Sequence, residues 1–285
     1  MAGELQRGGD FSHLMRAVTN NLSIVIPAYN EEQRIPRTLE HIRSFLNAKK
    51  WDAEIIVVND GSRDDTAEVV RRFAAGYPSV VLIDNPVNAG KGKAIRDGVL
   101  RASGEIILFT DADDSTPIED ADKLISAISE GADIVIGSRW VDPDLQAQPQ
   151  PWYRRLNGRL YNFLLRQVLG LDLTDTQNGF KAFTNAAGKA IFAQQKIPGW
   201  GFDAESLFFA HKLGFHVREV PVEYIYYAEG SKIRPYRDGA KMLLELLLVR
   251  WYFLTGAYAK EAPATKINAP AAFPDQALGE SGTSE

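Results

Sequence analysis

The chain has 285 residues, 45% of them hydrophobic, and a formal net charge of −5, enough apolar material for a substantial core in one or two domains. That balance argues against a general nucleic-acid surface, which would be strongly basic. The absence of cysteine removes disulfides, thiolate metal sites and cysteine nucleophiles.

Residues 1–20 are mixed polar and charged and hold no apolar core of signal-peptide length, so they read as an N-terminal extension and not as an export leader. From Leu22 the chain alternates strand-like runs with helical spacing. "LSIVIPAY" (22–29) reads as a buried strand. "EEQRIPRTLEHIRSFLNA" (31–48) reads as a helix with apolar positions Ile35, Leu39, Ile42, Phe45 and Leu46. The same scheme repeats in strand 53–60, helix 64–77, strand 80–86, helix 92–103 and strand 105–111, then in helix "IEDADKLISAISEG" and strand "DIVIGSR". Continuous Ile/Val runs separated by helices predict an α/β fold with a mostly parallel sheet covered on both faces. Ligands in such sheets sit beyond the carboxyl ends of the strands, and here each strand ends in polar residues: Tyr29-Asn30-Glu31, Asn59-Asp60-Gly61, Asp84-Asn85, Asp111-Ala112-Asp113 and Ser138-Arg139.

After Trp140 the pattern breaks. A Pro/Gln-rich loop (141–151) precedes a helix over roughly 153–169, and then come "DLTDTQNGFKAF" (172–183), "GWGFDAESLFFAHKLG" (199–214) and a strand over 216–227. No run reaches the roughly 18 uncharged apolar residues of a spanning helix. The nearest, "MLLELLLVRWYFLTGAY" (242–258), is interrupted by Glu245 and Arg250. Residues 261–285, rich in Ala, Pro, Gly and Ser, read as a disordered tail.

Asp111 and Asp113 alternate around a small residue at a strand end, so their carboxylates can converge on Mg2+ or Mn2+, which takes one or two carboxylates and completes its shell with water and phosphate oxygens. A bound cation would also cancel their mutual repulsion. Taken alone, the cluster also fits a solvated Asp-rich turn. There is no "GxxxxGK[ST]" and no "GxGxxG" after the first strand. Instead "NAGKGKAIRDG" (88–98) joins a glycine-bearing loop to a helix start with Lys91 and Lys93 beside it, a setting that favours anionic groups.

"IVIPAYNEE" (24–32), "EIIVVNDGSRDDT" (54–66), "NAGKGKAIRDG" (88–98) and "LFTDADD" (108–114) stand in an order that resembles family 2 glycosyltransferases. The resemblance implies the GT-A fold, a Rossmann-like nucleotide-sugar-binding domain with a metal-binding Asp-x-Asp. It continues through "VIGSRW" (135–140), "DTQNGFKAF" (175–183), "WGFDAE" (200–205) and "EGSK" (229–232), a set similar to the polyprenyl-phosphate branch, the dolichyl-phosphate glucose or mannose synthases. It covers residues 22–240, with a nucleotide half at 21–140 and an acceptor half at 141–240.

By that resemblance Pro27, Tyr29, Glu31 and Asp60 line the nucleoside pocket. Lys91, Lys93 and Gln177 belong to the donor site, Asp111 lies near the ribose and diphosphate, and Asp113 binds the metal. Ser115 stands where mannose-type relatives carry a metal-assisting Gln. Asp203 and Glu205 border the donor sugar, with Asp203 a reserve general base. Arg139 faces the acceptor phosphate, helped by Arg155, Arg159, Ser231 and Lys232, while Tyr226-Tyr227 replaces an arginine that relatives carry before the "GxSK" turn.

A phosphate monoester is already an anion, so what such an acceptor needs is positive charge, which the bidentate fork of Arg supplies. The implied reaction is inverting hexose transfer from a UDP- or GDP-linked sugar to a polyprenyl phosphate, with "DTQNGFK" favouring UDP-glucose over GDP-mannose. Two other readings remain open: a soluble or cell-envelope saccharide acceptor, and a nucleotide-sugar-binding protein without turnover. Helices 154–171 and 241–260 mix apolar bulk with charge, which fits either a membrane surface or a core or dimer contact. The lipid acceptor implies a peripheral place on the cytoplasmic face of a membrane, and a homo-oligomer is compatible with the sequence.

Overall fold

The computed structural model describes residues 21–145, 152–225 and 235–258, with the side chains of residues 143, 152–157, 235–238 and 240 outside that description. Seven strands form one sheet in the order β3-β2-β1-β4-β6-β5-β7. They are β1 (Leu22–Ala28), β2 (Ala53–Asp60), β3 (Val80–Asn85), β4 (Ile106–Phe109), β5 (Ile134–Ser138), β6 (Lys181–Thr184) and β7 (Val217–Pro221). All pairings are parallel except those of β6, which runs antiparallel between β4 and β5. The helices are α1 (Ile35–Lys49), α2 (Thr66–Gly76), α3 (Lys91–Arg101), α4 (Ala121–Ser129), α5 (Trp152–Leu169), α6 (Asn185–Gln194), α7 (Phe202–Leu213) and α8 (Pro235–Leu254).

Alternation along the strands builds two cores. Leu22, Ile24 and Ile26 of β1 pack with Ile35, Leu39 and Ile42 of α1 and Leu124 and Ile125 of α4 on one face. Val25, Ile56, Val58 and Ile107 pack with Ala94, Ile95 and Val99 of α3, Ile191 of α6 and Phe202 of α7 on the other. Each fully buried Ile, Val or Leu contributes about 1.5–3 kcal/mol of transfer free energy, so the apolar runs read from the sequence are what make the three layers. A third cluster joins Leu165 and Leu169 of α5, Leu207 and Phe208 of α7, and Leu246 and Val249 of α8 beside Ile136 of β5.

The predicted strands and helices up to residue 139 are all present, within a few residues at their ends. Two elements escape the sequence pattern. β6 is only four residues long and begins with a buried lysine, and α6 is amphipathic only weakly, its start marked by Thr184, whose hydroxyl accepts from the amide of Ala187. The strand expected over 216–227 closes at Pro221, and the C-terminal helix spans 235–254 instead of 241–260. Residues 1–20, Ser231, Lys232, Tyr226, Tyr227 and the predicted tail lie outside the described residues.

Candidate active site

The carboxyl ends of β1, β2, β4 and β5 and the amino end of antiparallel β6 share one edge of the sheet, so "PAYNEE", "NDGS", "TDADD", "SRW" and "DTQNGFK" meet there. The first two motifs are zipped together by side chains. Asn30, in the left-handed region at φ 52°, accepts from the amide of Arg63 at 2.8 Å, and its own amide donates to Ser62 Oγ at 2.9 Å. The amide of Glu31 donates to Thr66 Oγ1 at 2.7 Å. Pro27 and Tyr29 are half-buried at the end of β1. Asp60 is buried, its carboxylate accepting from Asn88 Nδ2 at 2.9 Å and from the amides of Ala89 at 2.8 Å and Gly90 at 2.9 Å. It therefore secures the loop before α3. Gly90 has φ 111° and a Cβ there would lie 2.5 Å from the Pro198 carbonyl oxygen, so this turn admits only glycine.

Lys91, at the first position of α3, reaches Asp111 Oδ1 at 2.6 Å, and its ammonium lies 5.2 Å from the centre of the Trp200 ring. Burial opposes its charge, but Asp111, Asp203 and Asp113 more than offset that and raise its pKa. The Asp111 carboxylate lies over Gly179, where a Cβ would come within 2.1 Å of Oδ2. Asp113 Oδ1 accepts from the amide of Ser115 at 3.2 Å, and Oδ2 lies 3.6 Å from Arg34 Nη1. Arg34 is also forked onto Glu31 through Nε and Nη2, both at 2.6 Å. Burial and then the neighbouring Asp111 push the Asp113 carboxyl above its ordinary value.

Two carboxylates held together at such a cost are a donor set that fits a hard divalent cation, with phosphate oxygens and water completing the shell. Among the described residues no group of three or more His, Asp or Glu side chains gathers as a metal cage. Ser115 serves this pair through its backbone amide.

Across the edge, Lys181 at the start of β6 is fully buried, forms an ion pair with Asp203 Oδ1 and donates to the Asn178 carbonyl at 2.7 Å. Burial lowers the Lys181 pKa and raises that of Asp203, with each charge partly offsetting the other's shift. Asp111 acts on Asp203 by repulsion, so the two halves of the chain share one electrostatic field. Arg139 is forked onto Asp175, Nε to Oδ2 and Nη2 to Oδ1, both at 2.7 Å, and its amide donates to the same carboxylate at 2.9 Å. Its guanidinium lies 5.0 Å from the centre of the Tyr224 ring. Beside it, Trp140, Arg159, Asn162, Phe163, Arg166 and Thr174 line an open cleft of about 300 Å³, and Arg159 lies 5.9 Å from the Trp140 ring centre.

Several expected residues face elsewhere. Lys93 turns along α3 to Asp97, at 2.5 Å. Gln177 Nε2 contacts Met242 Sδ of α8 at 3.9 Å. Glu205 does not share the site with Asp203, because two positions along a helix reverse the face. Its carboxylate accepts from the amides of Lys196 and Ile197, both at 2.9 Å, and from the Tyr258 hydroxyl at 2.8 Å. Arg155 lies in the first turn of α5, its side chain outside the described part. Sequence reasoning assigns no role to Arg34, Lys181 or Trp200. The usable signals are the helical i,i+3 spacing of Glu31 and Arg34 and a lone lysine between phenylalanines in "GFKAF".

The family model for Glycosyl transferase family 2 matches residues 23–192. A dolichyl-phosphate beta-glucosyltransferase of Trichomonas vaginalis is 38% identical over 83% of this chain and 75% of its own length. The dolichyl-phosphate beta-glucosyltransferase of Homo sapiens is 34% identical over 85% and 79%. Among solved structures, glucosyl-3-phosphoglycerate synthase from Mycobacterium tuberculosis, in complex with Mn2+, UDP-glucose and phosphoglyceric acid, aligns with a TM-score of 0.63 at 23% identity, covering 87% of this chain and 86% of that one. That likeness is one of fold. The sheet order, the strand-end motifs and these matches agree, and the chain belongs to glycosyl transferase family 2.

Proposed function

We propose that the protein transfers glucose from UDP-glucose to a polyprenyl phosphate of the dolichyl type, with inversion at the anomeric carbon. The observation that carries this reading is the meeting of Asp111, Asp113 and Lys91 with the Arg139–Asp175 pair at one sheet edge, in a chain more than a third identical to a dolichyl-phosphate beta-glucosyltransferase. Pro27, Tyr29, Glu31 and Asp60 shape the nucleoside side, Asp60 by holding the loop that presents Lys91. Asp111 and Asp113 would hold Mg2+ or Mn2+, which would offset negative charge on the departing diphosphate. Lys91 adds a fixed cation to the same region, where preorganised charge is worth most. Asp203, oriented by Lys181, borders the sugar.

The acceptor phosphate needs no proton removed. Its oxygen forms a bond to the sugar's anomeric carbon as the bond to the diphosphate oxygen breaks on the opposite face. Arg139 faces that phosphate, its orientation fixed by Asp175. The cleft carrying Arg159 and Arg166 beside Trp140 and Phe163 suits an anionic headgroup with an apolar chain behind it.

No helix among the described residues is long and apolar enough to cross a membrane. α8 instead turns Leu244 (62% exposed), Leu247, Leu248, Trp251 (62%) and Leu254 outward, and α5 adds Leu160 and Phe163. Such a face suits shallow insertion into a bilayer surface, where the acceptor resides; we place the protein on the cytoplasmic face. The test is transfer of label from UDP-glucose, GDP-mannose and other donors to short-chain polyprenyl phosphate with Mg2+ or Mn2+. Lipid-phase label from UDP-glucose alone is expected. Label from GDP-mannose alone would overturn the donor, and UDP-glucose hydrolysis without lipid label would overturn the acceptor.

A further inference from the structure

α8 is apolar along most of its length, yet it turns a carboxylate inward. Glu245 is buried in the seam beside Leu246 and Val249, where an apolar side chain would stabilise the packing at least as well. Its partners explain the choice. Glu245 Oε2 accepts from the amide of Gly201 at 2.7 Å, and Lys241 lies 3.7 Å away on the exposed side of the helix. Gly201 caps the amino end of α7, where a carboxylate is also favoured by the helix dipole.

The turn "GWG" is cut to fit this carboxylate. A Cβ on Gly199 would lie 2.4 Å from Glu245 Oε1, and one on Gly201 would lie 2.7 Å from Glu245 Cβ. The same turn forms one wall of the site. Trp200 lies over Lys91, the Pro198 carbonyl accepts from the amide of Lys93 at 3.2 Å, and Gly92 leaves room for the Gly199 carbonyl, 2.9 Å from where a Cβ would be. Asp203 follows two residues on. One turn before Glu245, on the same face of α8, Met242 touches Gln177. Tyr161 of α5 is raised by burial and then by the Asp203 and Glu245 carboxylates together, which puts both in one neighbourhood.

We infer that Glu245 is a positioning residue through which α8 sets the Gly199–Gly201 turn, and with it Lys91 and Asp203, in the donor site. The role in donor use rests on the nucleotide-sugar reading above; the mechanical link does not. The test compares Glu245→Ala, Glu245→Gln and, as a packing control from the same helix, Leu246→Ala, by hydrogen exchange on the ligand-free protein and by donor kinetics. Glu245→Ala should speed exchange at least about tenfold in both 199–203 and 90–94, and raise the donor KM about tenfold with a smaller change in kcat. Glu245→Gln, whose amide oxygen still accepts from Gly201, should restore both readouts. Leu246→Ala should lower the Tm and leave both within about twofold. Glu245→Ala and Leu246→Ala behaving alike at 199–203 and 90–94 would overturn the inference. If the wild type consumes no nucleotide sugar, the reading of function fails and the exchange data alone decide the link.

Discussion

In the first half of the chain the paired charges at the sheet edge keep a window on solvent, with the side chains of Asp111 and Asp113 each 30% exposed and that of Arg34 27%. The pairs made with residues of the second half are closed. Asp175 is 1% exposed against Arg139 at 14%, and Lys181 is 0% exposed against Asp203 at 9%. Ion pairs open to water contribute about 0–1 kcal/mol, so Arg34 can release Asp113 to a ligand at little cost. Buried pairs are different, because removing one partner strands a charge. The same types of residue thus serve as exchangeable contacts on one side and as fixed framework on the other.

The largest effect expected from this difference is on the open side. Asp113→Ala should lower the transfer rate by about a hundredfold to a thousandfold, the scale set by loss of one preorganised electrostatic partner, while the Tm stays near that of the wild type. A rate within threefold of wild type would break the assignment of the pair.

On the closed side the effect should be on stability. Asp175→Asn strands the Arg139 guanidinium and should cost about 3–5 kcal/mol in denaturant unfolding. Burial alone would raise the Asp175 carboxyl, but Arg139 holds it below its ordinary value of 3.8. A carboxyl depressed in the folded state contributes stability that is present above that value and lost as pH falls through its folded pKa. The gap between wild type and Asp175→Asn should therefore be constant above about pH 4 and narrow only below it. A gap that closes on raising the pH would contradict the pairing.

The smallest effect on folding should come from the outer face of α8. Leu248→Ser with Trp251→Ser should change unfolding free energy by less than about 0.5 kcal/mol per site, yet sharply reduce sedimentation with anionic vesicles. Undiminished vesicle binding would point to another membrane-facing surface.

The same contrast governs what can be read from the sequence. The strand-end motifs from Tyr29 to Arg139 are legible because each follows an unbroken apolar run, and polar residues in that position have one edge to occupy. β6 is not legible, being four residues with a lysine in place of the first apolar position, and that lysine is understood only once Asp203 is seen beside it. Glu205 and Glu245 are illegible for a related reason. The resemblance puts Glu205 beside the donor sugar and Glu245 reads only as a break in an apolar run, whereas in the fold both accept from backbone amides, of Lys196 and Ile197 and of Gly201. Backbone partners leave no mark in the pattern of side chains.

The most direct measurement of the central claim is calorimetric titration of UDP-glucose in the presence and absence of Mn2+, on the wild type, Asp113→Ala and Arg139→Ala. The account predicts metal-dependent binding that Asp113→Ala abolishes and Arg139→Ala largely keeps. Binding that is indifferent to Mn2+ and to Asp113, or lost equally in both variants, would contradict it.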